Sequence, residues 1–168
     1  KTELNTPDPE AVRRGAVNLG RHIDNLKNGF GLPVCVAINA FPTDTEEENE
    51  IIRATCAAAG VPCALSEVFA KGGEGGKALA ETVLSLIEQN PEPHPIRYTY
   101  ELDAPLTDKI EAVAKKIYHA DRVSYAPAAK KMLADLEAMG YGKLPVCIAK
   151  TQYSFSDDAG LLGAPEGF

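Results

Sequence analysis

Apolar residues at Val12, Ala16, Leu19, Ile23 and Leu26 recur every three or four positions, which predicts an amphipathic helix near the start of the chain. Asp8 stands where a capping carboxylate belongs, with Pro9 and Glu10 in the first turn, and Gly29 to Pro33 closes the pattern. The polar face of this helix, Arg13, Arg14, Arg21 and His22, reads as solvated. Two short apolar runs follow, 33–38 and 61–65, each stopping at a polar residue, Asn39 and Ser66. Between them lie the acids of 46–48, which suit a helix start behind a capping hydroxyl or carboxylate from 43–45. Ile51, Ile52, Ala54, Thr55, Ala58 and Ala59 give that helix a buried side, and Gly60 ends it. Strand, helix, strand in this order predicts a parallel βαβ unit. A glycine cluster, 72–76, leads into a helix over 77–89 with Leu79, Val83, Leu86 and Ile87 expected inward.

Residues 91–95, Pro-Glu-Pro-His-Pro, form a stiff polar connector. Beyond it the alternation predicts an edge strand at 97–102, then a helix that starts in 103–108 and turns Ile110, Val113, Ala114 and Ile117 to one side. A brief strand at 123–125, a helix over 127–139, a turn at 140–142 and a strand at 144–149 follow. The pattern therefore predicts one α/β domain over 1–168, with a mostly parallel sheet. The tail, 151–168, is loop-like. With a start that has no Met, it suggests a piece of a larger protein.

Composition narrows the class. The 168 residues are 45% hydrophobic and 24% charged, as in soluble globular domains. A net charge of −7 argues against a nucleic-acid surface, which needs clustered Lys or Arg. No apolar run approaches the roughly 18 residues of a membrane span, and the first residues lack the apolar core of a signal peptide, so a cytoplasmic protein is expected. Cys35, Cys56, Cys63 and Cys147 lack the close pairing of a zinc site and read as free thiols, mostly buried. His22, His94 and His119 are too dispersed for a histidine triad. No metal site is expected.

In parallel sheets ligands bind beyond the carboxyl ends of the strands. That places Asn-Ala-Phe-Pro-Thr-Asp after the first strand beside Ser-Glu-Val-Phe-Ala-Lys after the second. The glycine cluster resembles a phosphate loop but fails the GxxxxGK[ST] pattern, because Lys71 stands where glycine is required and Ala78 follows Lys77. A tight strand-to-helix turn is the other reading of those glycines. Asn39 and Asp44 with Ser66, Ala70 and Lys71 suit recognition of a nucleotide base, or else Thr43 or Asp44 serves as a helix cap.

Four stretches, NAFPTDT at 39–45, LSEVFAKGGEGG at 65–76, IYHAD at 117–121 and AKTQYSFSDD at 149–158, resemble formate–tetrahydrofolate ligase. The likeness runs in one order from about Leu19 to Phe168. It departs at Ala40, where the family has a basic residue, and at Phe69, where tryptophan is common. The resemblance implies a three-layer α/β fold of P-loop type in an ATP-dependent ligase. Formate attacks the γ-phosphate of ATP, with Mg²⁺, and the resulting formyl phosphate passes its formyl group to N10 of tetrahydrofolate. It also implies a homo-oligomer, commonly a tetramer, no nucleic-acid or membrane partner, and a phosphate loop and formyl-phosphate arginine lying N-terminal to the matched region. A C-terminal portion would follow. This chain alone would then be inactive; the alternative is a stand-alone nucleotide- or folate-binding module without catalysis. Carried over, nucleotide contacts fall at Asn39, Phe41, Ser66, Ala70 and Lys71. The aromatic rings that hold the pterin fall at Tyr125 and Tyr153.

Overall fold

The structure, a computed structural model, describes residues 6–95, 97–148 and 155–168. The chain divides into two compact units, Lys1–Pro95 and Ile96–Phe168, and the boundary falls at the proline-rich connector. In the first unit, α1 (Pro9–Asp24) starts at Asp8, whose carboxylate accepts the Ala11 N–H at 2.9 Å. It runs on into a π-helical turn, Asn25–Gly29. Then come β1 (Val36–Asn39), α2 (Glu46–Ala58), β2 (Cys63–Ser66), the short α3 (Val68–Lys71), a 3₁₀ turn (Gly72–Gly76) and α4 (Lys77–Gln89). The strands pair in parallel, with Val36 opposite Cys63 and Asn39 opposite Ser66.

Both ends of α2 are closed by groups that the sequence supplies. Thr45 caps the start, its hydroxyl accepting the Glu48 N–H at 3.3 Å while Glu48 Oε2 accepts the Thr45 N–H at 2.9 Å. These two reciprocal bonds make a capping box. At the far end Gly60, at φ +62°, donates to the Ala57 carbonyl and Val61 donates to that of Cys56. That is a Schellman closure, and it needs the left-handed backbone glycine adopts freely. Lys27, in the π-helical turn, adds Nζ bonds to the carbonyls of Ala59 and Gly60 at 2.7 and 3.0 Å, tying the end of α1 to the end of α2. The core between them holds Ile23, Cys56 and Val61, flanked by Leu19, Val34, Val36 and Ile52. Each such aliphatic side chain contributes about 1.5–3 kcal/mol when fully buried.

The second unit contains α5 (Leu106–Lys116), α6 (Pro127–Ala138) and a 3₁₀ turn (Tyr141–Lys143). The strands expected at 97–102 and 123–125 do not form, nor does the one expected at 144–149 over its described residues 144–148: among the described residues the sheet has two strands, both in the first unit. Side chains take the place of the ladder. The Tyr100 hydroxyl bonds both backbone groups of Val146, and Pro145 has no N–H to offer a neighbour. The tail contains no helix or strand within 155–168, yet it is fastened. The Gly167 N–H reaches the His119 carbonyl at 2.9 Å, the Asp121 N–H reaches that of Phe168 at 2.9 Å, and Phe155 is buried, its ring 5.9 Å from that of Tyr118.

Two expectations about burial change as well. Val83 and Ile87 of α4, read as inward, are exposed, as is Leu84. Of the four thiols only Cys56 is buried; Cys35 and Cys63 are half-buried and Cys147 is exposed. Burial, with the nearby Cys63 thiol, pushes Cys56 up to about 11, so it stays a thiol at neutral pH.

Candidate functional site

The paired strands end together. Asn39 and Ser66 are directly opposite in the register, and the Ala40 N–H donates to the Ser66 carbonyl at 2.9 Å, carrying the pairing one residue further. The segments that leave β1 and β2 thus start side by side. The first is folded back on itself by Asp44, whose carboxylate accepts the Phe41 N–H at 2.8 Å while its own N–H donates to the Phe41 carbonyl at 3.0 Å. Asp44 closes this turn and Thr45 caps α2, so neither Thr43 nor Asp44 is the helix cap. Asn39 is exposed at the strand end and Phe41 is 61% exposed.

The second segment turns at once into α3, which carries Ala70 and Lys71, both exposed, while Ser66 behind them is buried. Glycines make the return possible. Gly72 stands at φ +58° and ψ −143°, a conformation essentially reserved for glycine. At Gly75 a Cβ would lie 2.4 Å from the Glu67 carbonyl oxygen, and the Glu67 N–H donates to the Gly75 carbonyl at 3.0 Å. The cluster is thus a tight turn that packs backbone on backbone. Phe69, between the two glycine-dependent turns and the strand, is 93% exposed.

Charge at this rim is balanced. Lys71 pairs with Glu67 at 2.7 Å and Lys77 with Glu74 at 2.8 Å. Both pairs are solvent-exposed, where such contacts contribute little to stability, but each acid offsets a positive charge that a phosphate would use. The strand ends therefore offer backbone amides, an asparagine side chain and exposed aromatic faces, which suit a flat heterocycle better than a polyanion. Among the described residues no group of three or more His, Cys, Asp or Glu side chains is placed to hold a metal ion. A groove of about 630 Å³ lies elsewhere, along α4 and the start of β2 at Pro62, Cys63 and Ala64, at the opposite strand end from Asn39 and Ser66.

The expected folate residues are in the second unit. Tyr125 is half-buried and its hydroxyl donates to the Thr107 carbonyl at 3.2 Å, at the start of α5. Burial, then Glu111 and Asp108, raises its phenol above the usual tyrosine range. No strand precedes it, and Tyr153 lies outside the described residues. The structure thus brings Asn39, Phe41, Ser66, Ala70 and Lys71 to one pair of strand ends. The exposed Phe69 beside them was not among the expected contacts. Its signal in the sequence was an aromatic residue between a strand and a glycine turn.

Comparison with known proteins agrees with the sequence likeness. The model of a family described as formate–tetrahydrofolate ligase matches residues 1–168. A protein of Renibacterium salmoninarum described as formate–tetrahydrofolate ligase is 49% identical over 168 residues, which cover 100% of this chain and 29% of the relative. The chain therefore spans under a third of the length of that curated relative.

Proposed function

The chain belongs to the formate–tetrahydrofolate ligase family, and from that premise we propose that it forms the nucleotide-base wall, and part of the folate wall, of an ATP-dependent ligase. The whole enzyme would join formate to tetrahydrofolate through formyl phosphate, with MgATP as phosphoryl donor. The observation that carries this reading is the register of β1 and β2. It sets Asn39 against Ser66 and sends two short segments out together where parallel sheets bind ligands.

Asn39 offers an amide that can both donate to and accept from a base edge, and the turn held by Asp44 keeps Phe41 beside it. Ala70 and the stem of Lys71 close the other side. Phosphoryl transfer needs a phosphate cradle and a lysine or arginine aimed at the γ-phosphate. We assign those groups to other parts of the full-length enzyme, so this chain by itself supplies walls and no turnover. The larger protein is read as a cytoplasmic homo-tetramer whose sheet, completed by further strands, is the middle layer of a P-loop-type α/β fold.

Exposure favours a second assignment within the same site. An aromatic ring as open as Phe69, on the segment that leaves β2, gains most when a flat ring covers it, whereas Tyr125 is half-buried. On that assignment Phe41 and Phe69 hold the pterin, and Tyr125 is structural.

Steady-state kinetics of the full-length enzyme tests both. Asn39→Ala is expected to raise KM for ATP about tenfold, the loss of roughly 1.4 kcal/mol of hydrogen bonding, with KM for tetrahydrofolate unchanged; the reverse pattern would move this strand end to the folate side. Phe69→Ala raises KM for tetrahydrofolate if the second assignment holds, and leaves it unchanged if Tyr125 and Tyr153 do the stacking.

A further inference from the structure

Cys56 and Cys63 stand on either side of the turn that joins α2 to β2. Cys56, near the end of α2, is fully buried, and its carbonyl accepts the Val61 N–H at 3.0 Å. Val61 shares the buried cluster with Cys56 and Ile23, and Cys63 packs against that cluster. Residues two apart along an extended chain point to one side, so Cys63, two beyond Val61 and paired opposite Val36, faces the way Val61 does. The thiols are close enough for Cys63 to act on Cys56 by charge and hydrogen bonding, second to burial. Cys35 is placed differently. Val34 and Val36 both pack on the cluster, and the same alternation turns Cys35 between them to the other face. Cys147 belongs to the second unit.

The two thiols differ in access. Cys56 has no exposed surface, whereas Cys63 is half-buried and lines the groove of about 630 Å³ together with Thr82, Ser85 and Leu86 of α4. A small molecule in that groove meets Cys63 first. A buried cysteine by itself is ordinary apolar packing. A second thiol set against it, at the wall of an open groove, gives the pair a bond to form.

We propose that Cys56 and Cys63 form a dithiol site that low-molecular-weight disulfides, such as glutathione disulfide, oxidise reversibly through the groove along α4. The Cys63 thiolate attacks one sulfur of the incoming disulfide, breaking its S–S bond and releasing one thiol. Cys56 then loses its proton to solvent and attacks the Cys63 sulfur, closing the Cys56–Cys63 bond and releasing the second thiol. Two electrons pass from the protein dithiol to the small disulfide. The order follows access: the nucleophile is the thiolate, and burial holds Cys56 as a thiol at neutral pH. The new bond would tie α2 to the start of β2, the strand that ends at Ser66.

The experiment treats folded full-length enzyme with glutathione disulfide at about pH 8.5, near the ordinary thiol value. Remaining thiols are blocked with iodoacetamide and the tryptic peptides are weighed. Cleavage after Arg53 and Lys71 releases both sulfurs in one peptide, 54–71, apart from Cys35 and Cys147. The expected product is that peptide short of two hydrogens and unalkylated, returned by dithiothreitol to the doubly alkylated form. In Cys56→Ala the reaction is expected to stop at a glutathione adduct on Cys63, and in Cys63→Ala peptide 54–71 carries no adduct. Doubly alkylated 54–71 after oxidation of the wild type, a glutathione adduct that stays on its Cys63, or a disulfide from either thiol to Cys35 or Cys147 overturns the inference. The wild-type masses decide this even if Cys56→Ala fails to fold.

Discussion

At the scale of single residues, Gly75 constrains the candidate site more tightly than any charged group around it. The backbone of Glu67 passes so close that a Cβ would sit 2.4 Å from its carbonyl oxygen and 2.5 Å from its carbonyl carbon. No rotamer change relieves contacts with backbone. Gly75→Ala is therefore expected to destabilise the protein by about 1–3 kcal/mol, the range for forced overpacking. Gly73→Ala, two residues away with open space around it, should fall within about 0.5 kcal/mol of wild type, as surface substitutions do. Urea unfolding of the two variants checks this; equal stability would mean that the 72–76 turn relaxes at no cost. The sequence made the glycine cluster conspicuous but left its purpose open between an anion loop and a tight turn. The approach of Glu67, a contact made across the turn, is what requires glycine at 75.

At the scale of elements, the start of α2 joins several local signals. The Glu48 carboxylate accepts the Thr45 hydroxyl at 2.7 Å, the Asp8 N–H at 2.9 Å and the Thr45 N–H at 2.9 Å, linking the caps of α1 and α2. These bonds, the Thr45 hydroxyl first, hold Glu48 below its usual 4.5. A carboxyl whose folded value is depressed stabilises the fold above its unfolded value and loses that contribution as pH falls through the folded one. The melting-temperature gap between wild type and Glu48→Gln is thus expected to be constant above about pH 5 and to shrink as the pH drops below 4.5. A gap that persists undiminished to pH 3 would contradict the capping role.

The helices were legible because caps and periodicity act within a few residues. Asp8, Gly60 and Pro127 stand where the sequence placed the ends of α1, α2 and α6. The strands were legible only where a helix lay between two apolar runs. Val123-Ser124-Tyr125 and the run at 144–148 have strand-like composition, but composition does not say whether a neighbouring strand or a side chain will take the backbone groups. Tyr100 and Lys109 took them at 142–146.

At the scale of the whole molecule, the described chain leaves apolar side chains of its first unit exposed. Its sheet has two strands among the described residues, and parallel sheets ordinarily lie buried on both faces. Leu84 and Ile87 of α4 are about 60% exposed. The periodicity of α4 marked Val83 and Ile87 for burial, and both are exposed, while Leu84 was not among the marked positions; periodicity names an apolar face without naming what packs on it. At the strand ends Asn39, Phe41, Ser66, Ala70 and Lys71 stand on the two segments that leave β1 and β2, where we propose that the base of ATP binds.

The most direct test is photolabelling of the full-length enzyme with 8-azido-ATP, with and without excess ATP, followed by identification of the modified peptides. ATP-protected labelling is expected within 39–45 and 66–77, the segments that leave β1 and β2. ATP-protected labelling confined to 97–148, or absent from both strand-end segments, would contradict it.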